Sequence, residues 1–170
     1  MKEIIGQIIG IIAMIIGAIS LLQKSTKNTR IIQIVSATLF ATNYFLLGAY
    51  AGASLNILSM TRNIIIGYKD KKWANPRFWY VFYMVAFAVA VYYSGDGWLG
   101  ILPFAGCMFT GTGFHIENQA TARRVIFMSS PCWLIYNILK NTIGGITAEI
   151  INIIAIGSSI IRYDLKKTDK

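Results

Sequence analysis

The hydrophobic residues of this chain fall into seven long segments that are separated by short polar or charged stretches. The segments lie at about 4–22, 31–49, 51–68, 78–93, 98–114, 125–139 and 143–161. Most are long enough to cross a hydrocarbon core of about 30 Å as helices, because a helix rises about 1.5 Å per residue. They lack the two-residue alternation of barrel strands. The pattern therefore predicts an all-α membrane protein with seven transmembrane helices.

Part of the sequence recurs about 94 residues later, and each copy contains three of the hydrophobic segments. The matched pairs include Gly6 with Gly100, Arg30 with Arg124, Ser36 with Ser130, Asn43 with Asn137 and Gly52 with Gly145. After three transmembrane helices the chain is on the opposite side of the membrane, so a second copy that followed directly would be inverted. The unmatched fourth segment gives the second copy the same orientation as the first. We therefore expect two parallel three-helix bundles that are related by an axis along the membrane normal.

This repeat predicts a single membrane domain over residues 1–170, with repeat one at about 4–69 and repeat two at about 98–163. A connector helix at about 77–93 lies between them, and 164–170 form a short basic tail. The connector lacks Asn, Gln, Ser and Thr, which predicts a lipid-facing helix with no means of binding a polar solute. Small residues on one face of the first helix predict close packing, within the bundle or in a dimer: Gly6, Gly10, Ala13 and Gly17.

The composition also favours a lipid bilayer as the environment, since 55% of the 170 residues are hydrophobic and only 14% are charged. A soluble domain of this size could not bury so much apolar surface. The net charge of +9 would suggest a nucleic-acid partner in a soluble protein, but 13 of the 16 basic residues lie in alternate loops. This bias predicts an outer N-terminus, a cytoplasmic C-terminus and no role in binding nucleic acid.

Catalytic and metal-binding patterns are weak in this sequence. The segment from Gly95 to Gly100 fits G-x-G-x-x-G, but no strand precedes it and it lies in a predicted outer turn. Cys107 and Cys132 fall inside predicted helices, where they are expected to pack as small residues, and His115 is the only histidine. We therefore expect no enzymatic activity, no metal site and no cofactor.

Polar residues inside the predicted helices are the best functional candidates, because such residues are costly in a bilayer. Asn56 and Ser59 share one face of the third helix, and Glu149 and Asn152 occupy the equivalent face of the seventh. Asn43 and Asn137 form a second equivalent pair, on helices two and six. These side chains are predicted to meet across the axis and to bind a solute.

Glu149 has several open interpretations: it binds the hydroxyl or amine groups of a solute, takes up a proton, or forms a structural hydrogen bond or ion pair. Arg62 is the candidate partner for an ion pair, although it would lie about 9 Å deeper along the axis, and it could instead extend to the inner surface. Pro103 and Pro131 are expected to kink the fifth and sixth helices, either as gating points or as packing features.

Residues 132–137, 142–145 and Glu149 resemble the YgjV family of bacterial inner-membrane proteins, as do 45–54, Arg62, 102–103 and Gly106. The resemblance covers most of the chain and implies a multi-pass protein of the bacterial cytoplasmic membrane. It implies a location more than an activity.

The repeat plan also resembles the SWEET and semiSWEET sugar transporters, the PQ-loop proteins and the PnuC-type vitamin carriers. In the SWEET family, Trp residues on helices two and six and Asn residues on helices three and seven form the pocket. Trp133 and Glu149 resemble the second-half pair, and Phe40 and Asn56 the first-half pair. Glu replaces one Asn and Phe replaces one Trp, so the resemblance does not imply a sugar as the solute.

Two functions follow from these observations. The first is a carrier that moves a small polar solute by alternating access, with the bilayer and the solute as its partners. The second is a membrane receptor or assembly factor that binds a ligand or protein without moving it. A homo-oligomer is compatible with either function.

Overall fold

A computed structural model of the chain describes residues 1–21, 26–66, 68, 71–74, 76–113, 116 and 118–165. This part of the chain is helical and contains no β-strand, which confirms the predicted all-α class. The α-helices are α1 (Lys2–Leu21), α2 (Thr26–Leu46), α3 (Tyr50–Ile66), α4 (Pro76–Tyr93), α5 (Ile101–Gly113), α6 (Gln119–Phe127), α7 (Ser129–Leu139) and α8 (Ile143–Ile160). Short 3₁₀ turns lie at Lys72–Ala74 and Gly97–Gly100, and a π-helical turn at Ile161–Leu165 follows α8.

The distribution of polar and apolar side chains is inverted relative to a water-soluble protein. Asn43, Asn137 and Thr142 are fully buried. Large apolar side chains cover the exterior, including Ile4, Ile8, Ile12 and Ile15 on α1 and Phe78, Val81, Phe82, Val85 and Val89 on α4. An exposed apolar surface of this extent is typical of contact with lipid.

Two helical stretches in the described part of the chain are long and apolar enough to cross a membrane, Lys2–Ile19 and Ile143–Asp164. Two shorter apolar helices, Ile31–Leu46 and Arg77–Tyr93, accompany them. These assignments rest on length and composition. The further spans in the sequence-based prediction stay a prediction.

The small face of α1 packs inside the chain, against α2. A Cβ atom at Gly10 would lie 2.7 Å from Nδ2 of Asn43, and one at Gly17 would lie 3.0 Å from Oγ of Ser36. The Ser36 hydroxyl donates a hydrogen bond of 2.8 Å to the carbonyl of Ala13. Because the glycines lack side chains, the two helices approach closely enough for these polar contacts.

Helix α1 also contacts α8, so that the first and last long helices are neighbours. A Cβ atom at Gly144 would overlap the backbone of Gly10, which places the two helix backbones in direct contact. At the adjacent end, Ile143 N donates to Oε1 of Gln7 over 2.9 Å. The Gln7 side-chain amide in turn donates to the carbonyl of Asn141.

The sixth hydrophobic segment forms two helices rather than one, with α6 ending at Phe127 and α7 beginning at Ser129. Pro131 explains the interruption, because it has no N–H to donate to the carbonyl of Phe127 and its ring would clash with that carbonyl. Pro103 has a different effect. It lies in the first turn of α5, where a missing N–H costs little, and the backbone changes from 3₁₀ to α-helix just before it.

Helix α4 differs from the expected connector, because one of its faces is buried by the protein. Tyr83 and Phe87 are buried against Leu55 of α3 and Cys107 of α5. The Tyr83 hydroxyl donates a hydrogen bond of 3.0 Å to Oγ1 of Thr61. From Phe78 to Tyr93 the helix contains no amide or charged side chain, but its tyrosines supply polar contacts to the bundle.

Candidate functional site

A cavity of about 190 Å³ lies where α1, α2 and α8 meet. Two of the predicted solute-binding residues line it, Phe40 on α2 and Asn152 on α8. Gln33 and Ser36 add polar groups from α2, and Gly17 leaves room on the α1 side. Sequence reasoning did not single out Gln33 or Ser36. Their spacing from Phe40, seven residues for Gln33 and four for Ser36, places them on one helical face and could have indicated them.

Glu149 adjoins this cavity through Asn152. The Asn152 side chain is one helical turn further along α8, and its Nδ2 donates to Oε2 of Glu149 over 3.5 Å. The Ser130 hydroxyl on α7 also donates to the Glu149 carboxylate. The helical spacing in the sequence predicted the first of these contacts, whereas the second requires the packing of α7 against α8.

Aromatic rings fill the space between α2 and α7. The Tyr44 ring lies 6.1 Å from Phe40 and 6.0 Å from Trp133, measured between ring centroids. Trp133 in turn lies 6.0 Å from Tyr136 at a near-perpendicular angle. Phe40 and Trp133, the aromatic pocket positions that the SWEET resemblance implies, are thus brought together through Tyr44, a residue that the sequence analysis did not identify.

Asn137 and Asn43 are fully buried and make hydrogen bonds within the protein. Oδ1 of Asn137 accepts from the Tyr44 hydroxyl over 2.7 Å and from Oγ1 of Thr142 over 2.6 Å. Nδ2 of Asn43 donates to the carbonyl of Gly6 over 2.7 Å. Within the described residues, Oδ1 of Asn43 and Nδ2 of Asn137 have no hydrogen-bond partner. Both side chains therefore join helices, and each retains one polar atom for a further partner.

The predicted α3 residues make contacts outside the cavity. Asn56 is partly buried, and its Nδ2 donates to the carbonyl of Gly52 on its own helix over 2.9 Å. Ser59 lies 3.7 Å from the sulfur of Cys107 on α5. No hydrogen bond connects Asn56 with Glu149 in the described part of the chain. Direct contact of the two polar stripes stays a prediction.

Arg62 is buried between α3, α4 and α5. Its Nη1 donates to the carbonyl of Cys107 over 3.5 Å, and its guanidinium lies 5.7 Å from the centre of the Phe87 ring. The side chain is buried by protein, and its extension to the inner surface stays a prediction. The two contacts above are with α5 and α4, whereas Glu149 contacts α7.

Asp96 is the main polar residue that sequence reasoning missed, because it lies in the Gly95–Gly97 turn that was treated only as a turn. Its carboxylate is 3% exposed and forms an ion pair of 2.6 Å with Nζ of Lys140. It also accepts hydrogen bonds from the Tyr136 hydroxyl over 2.7 Å and from Ala51 N over 2.9 Å. We call Asp96, Lys140, Tyr136 and Ala51 the Asp96 cluster.

The Asp96 cluster joins three elements at one end of the bundle: the α4–α5 turn, the C-terminal part of α7 and the first turn of α3. The Tyr136 hydroxyl also accepts a hydrogen bond of 2.9 Å from Gly52 N. Positive φ angles at Gly95 and Gly97 allow the tight turn that carries Asp96 into this position. The placement of Lys140 and Asp96 in the same predicted outer layer could have indicated the ion pair.

A comparison with known protein families identifies the family of this chain. A family model described as "Bacterial inner membrane protein", Imp-YgjV, matches residues 4–167. The chain belongs to this family. Inner membrane protein YgjV of Escherichia coli (strain K12) is 24% identical over 159 residues, which cover 94% of this chain and 84% of that protein. No solved structure matches the chain.

Membership of the YgjV family confirms the location that the sequence predicted. The protein is a bacterial inner-membrane protein, and the apolar exterior described above is suited to lipid contact. The family match covers both predicted repeats and the connector, and all the residues that line the cavity lie within it.

Proposed function

We propose that this YgjV-family protein is a carrier for a small polar solute. The observation that supports this most strongly is a cavity to which Gln33, Ser36 and Asn152 contribute polar groups, in a bundle whose exterior is apolar. Polar groups within a membrane protein are retained where they serve a solute, a proton or helix packing. A cavity between these particular side chains favours the solute, because packed helices would close the space.

The arrangement of the helices supports a carrier with two similar halves. Helix α1 packs against α8, and α3 packs against α5. In the predicted repeat α1 is equivalent to α5 and α8 is equivalent to α3, so the two helix pairs are equivalent to each other. Helices α2 and α7 face each other through Tyr44 and Trp133. We infer seven spans in the SWEET-like plan, with alternating access produced by movement of one half relative to the other.

The proposed orientation places the N-terminus outside and the C-terminus in the cytoplasm, because most basic residues lie in the loops assigned to the inner side. The Asp96 cluster then lies at the outer end of the bundle. The ion pair between Arg123 of α6 and Asp164 of the π-helical turn lies at the inner end.

Solute flux into proteoliposomes tests carriage. We expect at least one member of a panel of sugars, amines, vitamins and nucleosides to enter faster than into protein-free liposomes. Replacing Asn152 with leucine should reduce that flux by about tenfold, since a buried polar contact to a solute is worth about 1–2 kcal/mol. Asn28→Leu, at an exposed position near the start of α2, is the matched control and should leave the flux unchanged.

Absence of flux above the protein-free rate for the whole panel would contradict carriage. Copurification of a stable partner that is lost on Glu149→Ala would then favour the receptor or assembly-factor function. Equal loss of flux in both asparagine variants would show that the effect does not arise at the cavity.

A further inference from the structure

Glu149 is an interior carboxylate without a basic partner among the described residues. Its contacts are the Asn152 side-chain amide at 3.5 Å and the Ser130 hydroxyl, both of which are neutral. The other two acidic residues that join helices in the described part of the chain are paired, Asp96 with Lys140 and Asp164 with Arg123. A carboxylate in a membrane interior is stabilised by a cation.

Aromatic rings lie near the cavity that this carboxylate adjoins. Phe40 lines the cavity, and so does Asn152, whose side-chain amide donates to Glu149. The Tyr44 hydroxyl donates to Asn137. Phe40 and Trp133 flank Tyr44, with ring centroids about 6 Å away on either side. A carboxylate combined with aromatic faces is the chemistry that recognises an ammonium group, through ion pairing and cation–π attraction.

The cavity volume indicates the size of the group that it can hold. Its volume is about 190 Å³, and Phe40 and Asn152 line it. A cavity of about 150 Å³ in another protein accommodates benzene, so this one has room for roughly six to eight non-hydrogen atoms. Gln33 and Ser36, which also line the cavity, would contact a polar group of such a ligand.

From these three observations we propose that the solute is a small organic monocation that carries an ammonium group, held by Glu149 and the rings of Phe40, Tyr44 and Trp133. This inference rests on the proposed function, because it names the chemical class of the solute that the carrier would move. The adjoining cavity of α1, α2 and α8 would hold the remainder of the molecule.

Binding of matched cationic and neutral probes tests the assignment. The cations are choline, tetramethylammonium and propylammonium, and the neutral counterparts are 3,3-dimethylbutan-1-ol, 2-methylpropan-2-ol and propan-1-ol. We expect at least one cation to raise the melting temperature of the protein in nanodiscs, whereas its counterpart does not. Glu149→Gln preserves the shape and should weaken cation binding by roughly 30-fold or more. Glu3→Gln removes an exposed carboxylate and should leave it unchanged.

The unliganded Glu149→Gln protein should be at least as stable as the wild type, because the substitution removes an unpaired interior charge. If no cation exceeds its neutral counterpart, or if Glu149→Gln binds the cation as the wild type does, the inference is wrong. Flux of a neutral solute in that case would leave carriage intact. Binding of a cation without flux would support the inference and contradict carriage.

Discussion

Replacing Asp96 with alanine is expected to lower the free energy of unfolding by about 3–5 kcal/mol, the usual cost of removing one partner from a buried ion pair. The carboxylate is 3% exposed and accepts from Lys140, Tyr136 and Ala51 N. All three donors would lose this acceptor, and two of them, the Tyr136 hydroxyl and Ala51 N, belong to fully buried residues. The expected result is a large drop in melting temperature, measured by tryptophan fluorescence in detergent.

Lys140→Met is the informative comparison for this variant. The Lys140 side chain is 18% exposed, and its removal leaves the Asp96 carboxylate with two hydrogen-bond donors. We therefore expect a smaller loss of stability than for Asp96→Ala. If the Asp96→Ala protein has the same melting temperature as the wild type, the cluster does not hold α3, α7 and the α4–α5 turn together.

Replacing Gly144 with alanine is expected to separate α1 from α8. The added Cβ would overlap the backbone of Gly10, which cannot rotate away as a side chain could. Overpacking of this kind lowers the free energy of unfolding by about 1–3 kcal/mol or more, because the helices must move apart as rigid bodies. Because Asn152 lies on α8 and Gly17 on α1, the same shift should deform the cavity and reduce solute binding.

Gly157→Ala on the same helix is the matched control. Its Cβ would lie 3.7 Å from the Phe127 ring, an ordinary contact distance. Alanine also favours a helix over glycine by up to about 1 kcal/mol, so this variant should be as stable as the wild type or slightly more stable. Equal melting temperatures for the Gly144→Ala and Gly157→Ala proteins would contradict the close contact between α1 and α8.

Helix positions were predictable because the apolar segments are long and uniform, so that length alone indicates a helix. The break before α7 was partly predictable, since Pro131 removes a specific donor. The Glu149–Asn152 contact was predictable because residues three apart share a helical face. Each of these features depends on residues close together in the chain.

Features that depend on distant residues were not predictable in the same way. The Asp96 cluster joins residues about 45 positions apart in sequence, and a Gly-Asp-Gly turn alone gives no indication of its partners. Asn43 and Asn137 were predicted to bind a solute, and that stays a prediction. Their hydrogen-bond partners on α1, α2 and the α7–α8 turn depend on how the helices pack. The burial of Arg62 likewise depends on α4 and α5.

The central claim is that Asn152 lines a water-accessible cavity inside a bundle whose exterior lies in lipid. Thiol accessibility in intact membranes tests it directly, in a Cys107→Ser, Cys132→Ser background. Asn152→Cys and Ile154→Cys are the pair to compare, since Asn152 lines the cavity and Ile154 is 63% exposed on the exterior of the same helix. A thiol reacts as its thiolate, which forms in water and not in lipid.

We expect 2-aminoethyl methanethiosulfonate, a water-soluble reagent, to modify the Asn152→Cys protein and to leave the Ile154→Cys protein unmodified. Modification of the Ile154→Cys protein with none of the Asn152→Cys protein would contradict both the lipid-facing exterior and the water-accessible cavity.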